Sequence, residues 1–252
     1  MKFVIAASQR SGSVFLENSL NSHPDVHCYG ELMLGIGGHR DVEVPGFLHR
    51  RRQQRHLYSM VKSGVALRPA RFVDDAYSER DEQAVGFRVM HRHTRKPLVN
   101  YLHQVGARVI FLERRNLLRQ VVSRRVMHTR QREIGVGSAH STSGAFSETI
   151  HLDPQDVLRS IDHLVTDQER SRQLFAALPS ISLTYEDLPS ADGAINSPQG
   201  TQICDFLEIS QLSLSSDLVR TGGRSLEETV ANFDQVADTL ARSTHHGLLE
   251  LA

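Results

Sequence analysis

The sequence predicts an α/β fold, a central parallel sheet flanked by helices, and three observations carry that expectation. Short apolar runs alternate with helix-length amphipathic segments along the chain, as in a parallel sheet joined by helical crossovers. Two of the runs, Phe3-Val4-Ile5-Ala6-Ala7 and Ala107-Arg108-Val109-Ile110-Phe111-Leu112, are almost continuously apolar, as strands covered on both faces must be. The first run passes at once into the polar turn Ser8-Gln9-Arg10-Ser11-Gly12 and a helix entrance, a layout in which the unpaired first-turn N–H groups and the helix dipole bind an anion. The expected class is P-loop-like and nucleotide-binding. A length of 252 residues suits one sizeable domain, so residues 1–252 are expected to form a single unit.

Each element has its own signal. After the first strand and turn, Val14 to Leu20 suits a helix that ends at Asn21-Ser22-His23-Pro24, and a second short strand is expected near Val26 to Tyr29. Gly30-Glu31 then sits at a strand end. Residues 35–50 are rich in Gly and Pro and read as an irregular loop. The basic run 49–56 leads into an amphipathic helix through Val61; its arginines form either a solvated face or a patch for an acidic or sulfated partner. Ala84 to Met90 alternates as a strand, and Thr94 to Tyr101 is helical with Pro97 in its first turn. After the apolar strand at 107–112, an Arg-rich helix runs from Asn116 to about Arg132, and the Gly/Ser-rich segment 135–149 is a lid or a connector. Asp153-Pro154 is an N-cap followed by Pro at the first helical position, and that helix continues towards Leu178. A strand at Ile181 to Tyr185 and helices at Gln199 to Leu207 and Leu226 to Leu240 complete the chain.

Composition narrows the function. Lys plus Arg and Asp plus Glu number 29 each, so no global field draws the protein to nucleic acid. Cys28 and Cys204 are the only cysteines and lack metal-ligand spacing; no metal site is expected, and a reducing cytoplasm is the expected compartment. No run approaches the roughly twenty apolar residues of a membrane span, so no membrane insertion is expected. Oligomeric state is left open by the sequence.

The chemistry concentrates in two segments. In the first turn, Ser11, Gly12 and Ser13 supply backbone donors, Gly12 permits close approach and Arg10 adds charge, without the G-x-x-x-x-G-K-[ST] spacing of ATP-type loops. In the second, Arg115 follows the apolar strand and Ser123 lies eight residues on, so a guanidinium fork and a hydroxyl are placed where open α/β sheets bind ligands. Two separated anion sites suit a nucleotide with phosphates on both sides of its ribose.

On these residues the chain resembles the sulfotransferases that use 3′-phosphoadenosine 5′-phosphosulfate (PAPS), in particular the bacterial and carbohydrate-directed branch. Gln9 to Ser13 is similar to their 5′-phosphosulfate loop, and Arg115 with Ser123 to their 3′-phosphate motif. Gly30-Glu31-Leu32, Tyr185-Glu186-Asp187-Leu188 and Asn232-Phe233 are similar to later family segments. The resemblance implies a sulfotransferase fold and transfer of the sulfuryl group to a hydroxyl of a small-molecule, glycan or lipid acceptor, with release of PAP. It implies Arg10, Ser11, Gly12, Ser13, Val14 and Phe15 at the 5′-phosphosulfate, although Val14 replaces the usual hydroxyl residue. It places Arg115 and Ser123 at the 3′-phosphate and Arg220 near the nucleotide. Glu31 is the first candidate for the general base, with His91 and its neighbour His93 the second. Arg88 either helps bind the sulfonate or forms one half of a surface ion pair. Tyr185 and Glu186 are read as a structural pair that fastens a loop. Two other functions fit parts of the sequence: a kinase with an unusual phosphate loop, and a non-catalytic binder of an acidic polymer.

Overall fold

The computed structural model describes residues 1–32, 69–78, 80–134, 149–190, 193–218 and 224–251. The elements are β1 (Lys2–Ala7), α1 (Ser13–Asn21), β2 (Val26–Glu31), α2 (Pro69–Ser78), β3 (Ala84–Met90), α3 (Lys96–Gln104), β4 (Arg108–Glu113), α4 (Leu117–Ile134), α5 (Pro154–Phe175), β5 (Ser180–Thr184), α6 (Ser197–Leu207), α7 (Leu226–Thr229) and α8 (Phe233–Ala241). Among the described residues, 3₁₀ turns at His91–His93, Tyr185–Asp187 and His246–Leu251 join or end them. The expected loop at 35–50, the basic segment 49–56 with its helix, almost all of 135–149 and Arg220 lie outside the described residues.

All five strands are parallel, in the order β2-β3-β1-β4-β5. This is the α/β architecture that the alternation of apolar runs and helices predicts. Side-chain alternation divides the core. Val4, Ala6, Phe87, Val89, Val109 and Phe111 face α2, α3 and Phe175 on one side. Phe3, Ile5, Met90, Ile110, Leu112 and Leu183 face Leu16 and Leu20 of α1 and Ile203, Cys204 and Leu207 of α6 on the other. A third apolar cluster lies among helices alone, with Leu118 and Val121 of α4 against Val157 and Ile161 of α5 and Val236 and Leu240 of α8.

The cap on α5 forms as its sequence predicts: Gln155 N donates to Asp153 Oδ1 at 2.9 Å, with Pro154 at the start of the helix. The helix expected over 226–240 is instead broken in two. Val230 forms a parallel bridge with Ile150, Ala231 N donates to Ile150 O at 2.9 Å, and Asn232 bonds both Leu152 N and Leu152 O. Val230 N keeps its i→i−4 bond to Leu226 O, but Ile150 N takes Thr229 O and Ala231 N goes to Ile150 O instead of back along the helix, so the helix stops there. Among the described residues no helix is long and apolar enough to cross a membrane.

The order of the sheet fixes where a ligand can bind. The chain leaves β1 towards β2 on one side and leaves β4 towards β5 on the other, so the carboxyl ends of β1 and β4 border a switch-point crevice. An open depression of about 580 Å³, lined by residues such as Pro24, Asp25, Arg80 and Gln83, precedes β2 and β3, at the opposite end of the sheet.

Candidate functional site

The turn from β1 to α1 occupies one wall of that crevice. Ser11 is fully buried, and its hydroxyl donates to Ser8 O at 2.8 Å, closing the turn on itself. Arg10 and Gly12 both have positive φ, 67° and 86°. The left-handed geometry is open to Gly12 at little cost and is strained for Arg10, as is common where a loop is shaped to hold something. No side chain caps α1 and its first turn carries no carboxylate, so the helix offers its unpaired N–H groups outward. A Cβ on Gly12 would collide with the Tyr185 ring, which lies against the turn and meets Phe15 edge-on.

The segment following β4 forms the opposite wall and holds the turn at three points. Arg114 Nη1 donates to Arg10 O at 3.3 Å, Gln120 Nε2 donates to Gln9 O at 2.8 Å, and Arg10 Nε donates to Ser123 Oγ at 3.0 Å. The two segments singled out in the sequence are therefore in direct contact. Arg10 has no carboxylate partner among the described residues. Burial and the neighbouring Arg114 push its pKa below the ordinary arginine value, with Tyr185 opposing them. A partly desolvated cation without a carboxylate among the described residues, beside a helix N-terminus, is an arrangement that can receive an anion.

Arg115 reaches the same edge but is already paired: its Nη2 donates to Asp187 Oδ1 at 3.1 Å and Oδ2 at 2.9 Å on the exposed surface. Glu186 secures the backbone beneath it, accepting from Arg115 N at 2.9 Å and Asn116 N at 3.3 Å, and it pairs with Arg114 at 3.6 Å. Asn116 Oδ1 in turn accepts from Arg119 N at 2.8 Å at the start of α4. Arg114 also lies over the Tyr185 ring, 5.4 Å from its centroid. Sequence reading missed Arg114 and Gln120. Gln120 stands one turn before Ser123 on the same face of α4, a spacing that could have marked it.

Glu31 closes the site on the other side. β2 ends there with a bulge between Tyr29 and Glu31, which brings its carboxylate to Arg88 of β3. Arg88 is not on the surface; it is 5 % exposed. Its Nη1 donates to Ser13 Oγ at 3.1 Å and lies 3.5 Å from Glu31 Oε1, while its Nε contacts Glu17 Oε2. Burial pushes the Glu17 carboxyl up, against the opposing pull of Arg88. Glu17 follows Ser13 by four residues on α1, so both reach the same strand residue. Cys28 is buried beside this group, and burial pushes its thiol up.

His91 is not brought to this group. It follows β3 on the opposite layer, 97 % buried and stacked on Phe111 with ring centroids 6.4 Å apart. Neither ring nitrogen has a hydrogen-bond partner. Burial, reinforced by Arg172, lowers its pKa to about 4. Val14 lies in the first turn of α1, and Arg220 lies outside the described residues.

No protein-family model matches the chain, and no curated protein matches it in sequence. Among solved structures, the chain is similar to a sulfotransferase from Alicyclobacillus acidocaldarius, with a TM-score of 0.50 at 14% identity over 98% of this chain and 95% of that one. At that identity the likeness is one of fold: the five-stranded parallel sheet and its flanking helices are sulfotransferase-like.

Proposed function

We propose that the protein is a PAPS-dependent sulfotransferase that transfers the sulfuryl group to a hydroxyl of a small-molecule, glycan or lipid acceptor. The observation that carries this reading is Arg10: a partly buried guanidinium without a carboxylate partner among the described residues, in a strained turn at a helix N-terminus, bonded across the switch-point crevice to Ser123.

PAPS supplies the sulfuryl donor. In this reading Arg10 and the first-turn N–H groups of α1, from Gly12 to Phe15, hold the 5′-phosphosulfate, and Ser11 keeps the turn closed. Ser123 and Arg115 hold the 3′-phosphate. Arg115 exchanges Asp187 for the phosphate, and since an exposed ion pair contributes about 0–1 kcal/mol, the exchange costs little. Arg220 is a further nucleotide contact in the same reading.

The acceptor oxygen forms a bond to sulfur as the bond from sulfur to the bridging phosphate oxygen breaks, and PAP leaves with the electron pair of that bond. The acceptor proton passes to the Glu31 carboxylate. Arg10 lies where negative charge grows on the leaving phosphate. His91 is set aside as base because it stands on the other layer of the sheet, buried and stacked on Phe111.

Transfer of labelled sulfuryl from PAPS to a panel of hydroxyl acceptors tests this reading. Glu31→Gln is expected to keep PAP affinity and lose transfer by about a hundredfold or more, the usual scale of general-base catalysis. Turnover equal to wild type would remove Glu31 from that role.

A further inference from the structure

The buried group around Arg88 holds two carboxylates against one guanidinium, and the proposed reaction uses only one of them. Glu31 alone would balance Arg88. A second, largely buried carboxylate costs desolvation and repels the first, so Glu17 is a charge beyond what pairing Arg88 requires. Surplus buried charge of this kind belongs to function more often than to stability.

The geometry gives Glu17 a task. Arg88 Nε contacts Glu17 Oε2, whereas Arg88 Nη1 is 3.5 Å from Glu31 Oε1 and is also directed to Ser13 Oγ. Attraction falls with distance, so the cation is spent chiefly on Glu17. With Glu17 absent, Arg88 would have Glu31 as its only carboxylate among the described residues and would hold it as a tight ion pair, a poor proton acceptor. Among the described residues, the charged and titratable groups around Glu31 are Arg88 from β3 and, across it, Glu17 from α1, with the Cys28 thiol of β2, pushed up by burial, beside Glu17 and Arg88; the Ser13 hydroxyl is neutral. We infer that Glu17 is a positioning residue that takes up the charge of Arg88 and so leaves Glu31 free to accept the acceptor's proton. This inference rests on Glu31 being the base of a sulfotransferase.

Carboxyl NMR of protein labelled with carbon-13 at the glutamate side-chain carboxyls tests it without an acceptor, with Glu31→Gln identifying the Glu31 signal. In Glu17→Gln the Glu31 titration midpoint is expected to fall by roughly one pH unit, the scale of a newly dominant arginine neighbour. Glu17→Asp is expected to restore part of that shift. A midpoint that stays in place or rises would overturn the inference. If Glu17→Gln does not fold, the wild type decides: two mutually dependent titration steps for Glu17 and Glu31 are expected, and two independent steps at ordinary carboxylate pH would overturn it. PAP titration separates this from the larger reading, because Glu17→Gln is expected to bind PAP as wild type does. Failure of the wild type to bind PAP would sink the sulfotransferase reading while the Glu31 midpoint still reports on Glu17. With an acceptor in hand, the acid limb of the kcat/KM profile should move down by the same amount, and kcat at neutral pH should fall up to about tenfold.

Discussion

Gly12 is the residue whose side chain the site can least accept. Its φ of 86° disfavours any L side chain, and a Cβ would run into the Tyr185 ring. Gly12→Ala is expected to lower stability by about 2 kcal/mol or more and to weaken PAP binding at least tenfold, read by chemical denaturation and calorimetry. His91 makes a different prediction. An unfolded chain protonates this histidine near pH 6.5, the folded chain only near 4. Between those values the unfolded state binds more protons, so stability falls as pH drops through the window, by about 3 kcal/mol when complete. His91→Leu, close in volume and without unpaired nitrogens, is expected to flatten that dependence; urea unfolding at pH 5 and pH 7 measures it. Equal pH sensitivity in the variant would place the cause elsewhere.

At the scale of elements, the turn between β4 and α4 depends on Glu186, which accepts two backbone N–H bonds and pairs with Arg114. Glu186→Ala is expected to destabilise the protein by about 2 kcal/mol, since bonds to a charged acceptor are worth about 1.5–3 kcal/mol each and solvent recovers part of the loss. Thermal unfolding measures it, and an unchanged midpoint would remove Glu186 from the fastening of this turn. Strands were legible where burial on both faces leaves a continuous apolar run, as in β1 and β4, and so was α5, whose cap and first-turn Pro are local signals. The break between α7 and α8 was not legible, because it depends on residues about eighty positions away: Ile150 takes the backbone groups of Thr229 and Ala231, and Leu152 holds the Asn232 side chain. The helix α2 gave no cap or stop signal that drew attention to it.

Across the whole molecule, acidic and basic residues are equal in number, and at the carboxyl end of the sheet Glu17, Glu31, Glu186 and Asp187 meet three arginines and leave Arg10 without a carboxylate among the described residues. The order β2-β3-β1-β4-β5 brings Arg10 from β1's exit, Arg88 from β3 and Arg114 and Arg115 from β4's exit to one edge of the sheet. Residues 10–13, 115 and 123 could be picked out because a phosphate-binding turn has a compact local pattern. Glu17 and Arg114 could not, because their partners, Arg88 and Arg10, meet them only through strand order, whereas Gln120, which bonds Gln9, had only its spacing from Ser123 as a signal. The proposed function makes a specific demand on the ligand, phosphate on both sides of one ribose. Calorimetric titration with PAP, alongside ATP with magnesium, tests that demand most directly. PAP is expected to bind with a Kd of about 1 μM, near −8 kcal/mol, and to lose at least tenfold in Arg10→Ala and Arg115→Ala; preference for ATP, or no binding of either nucleotide, would contradict the account.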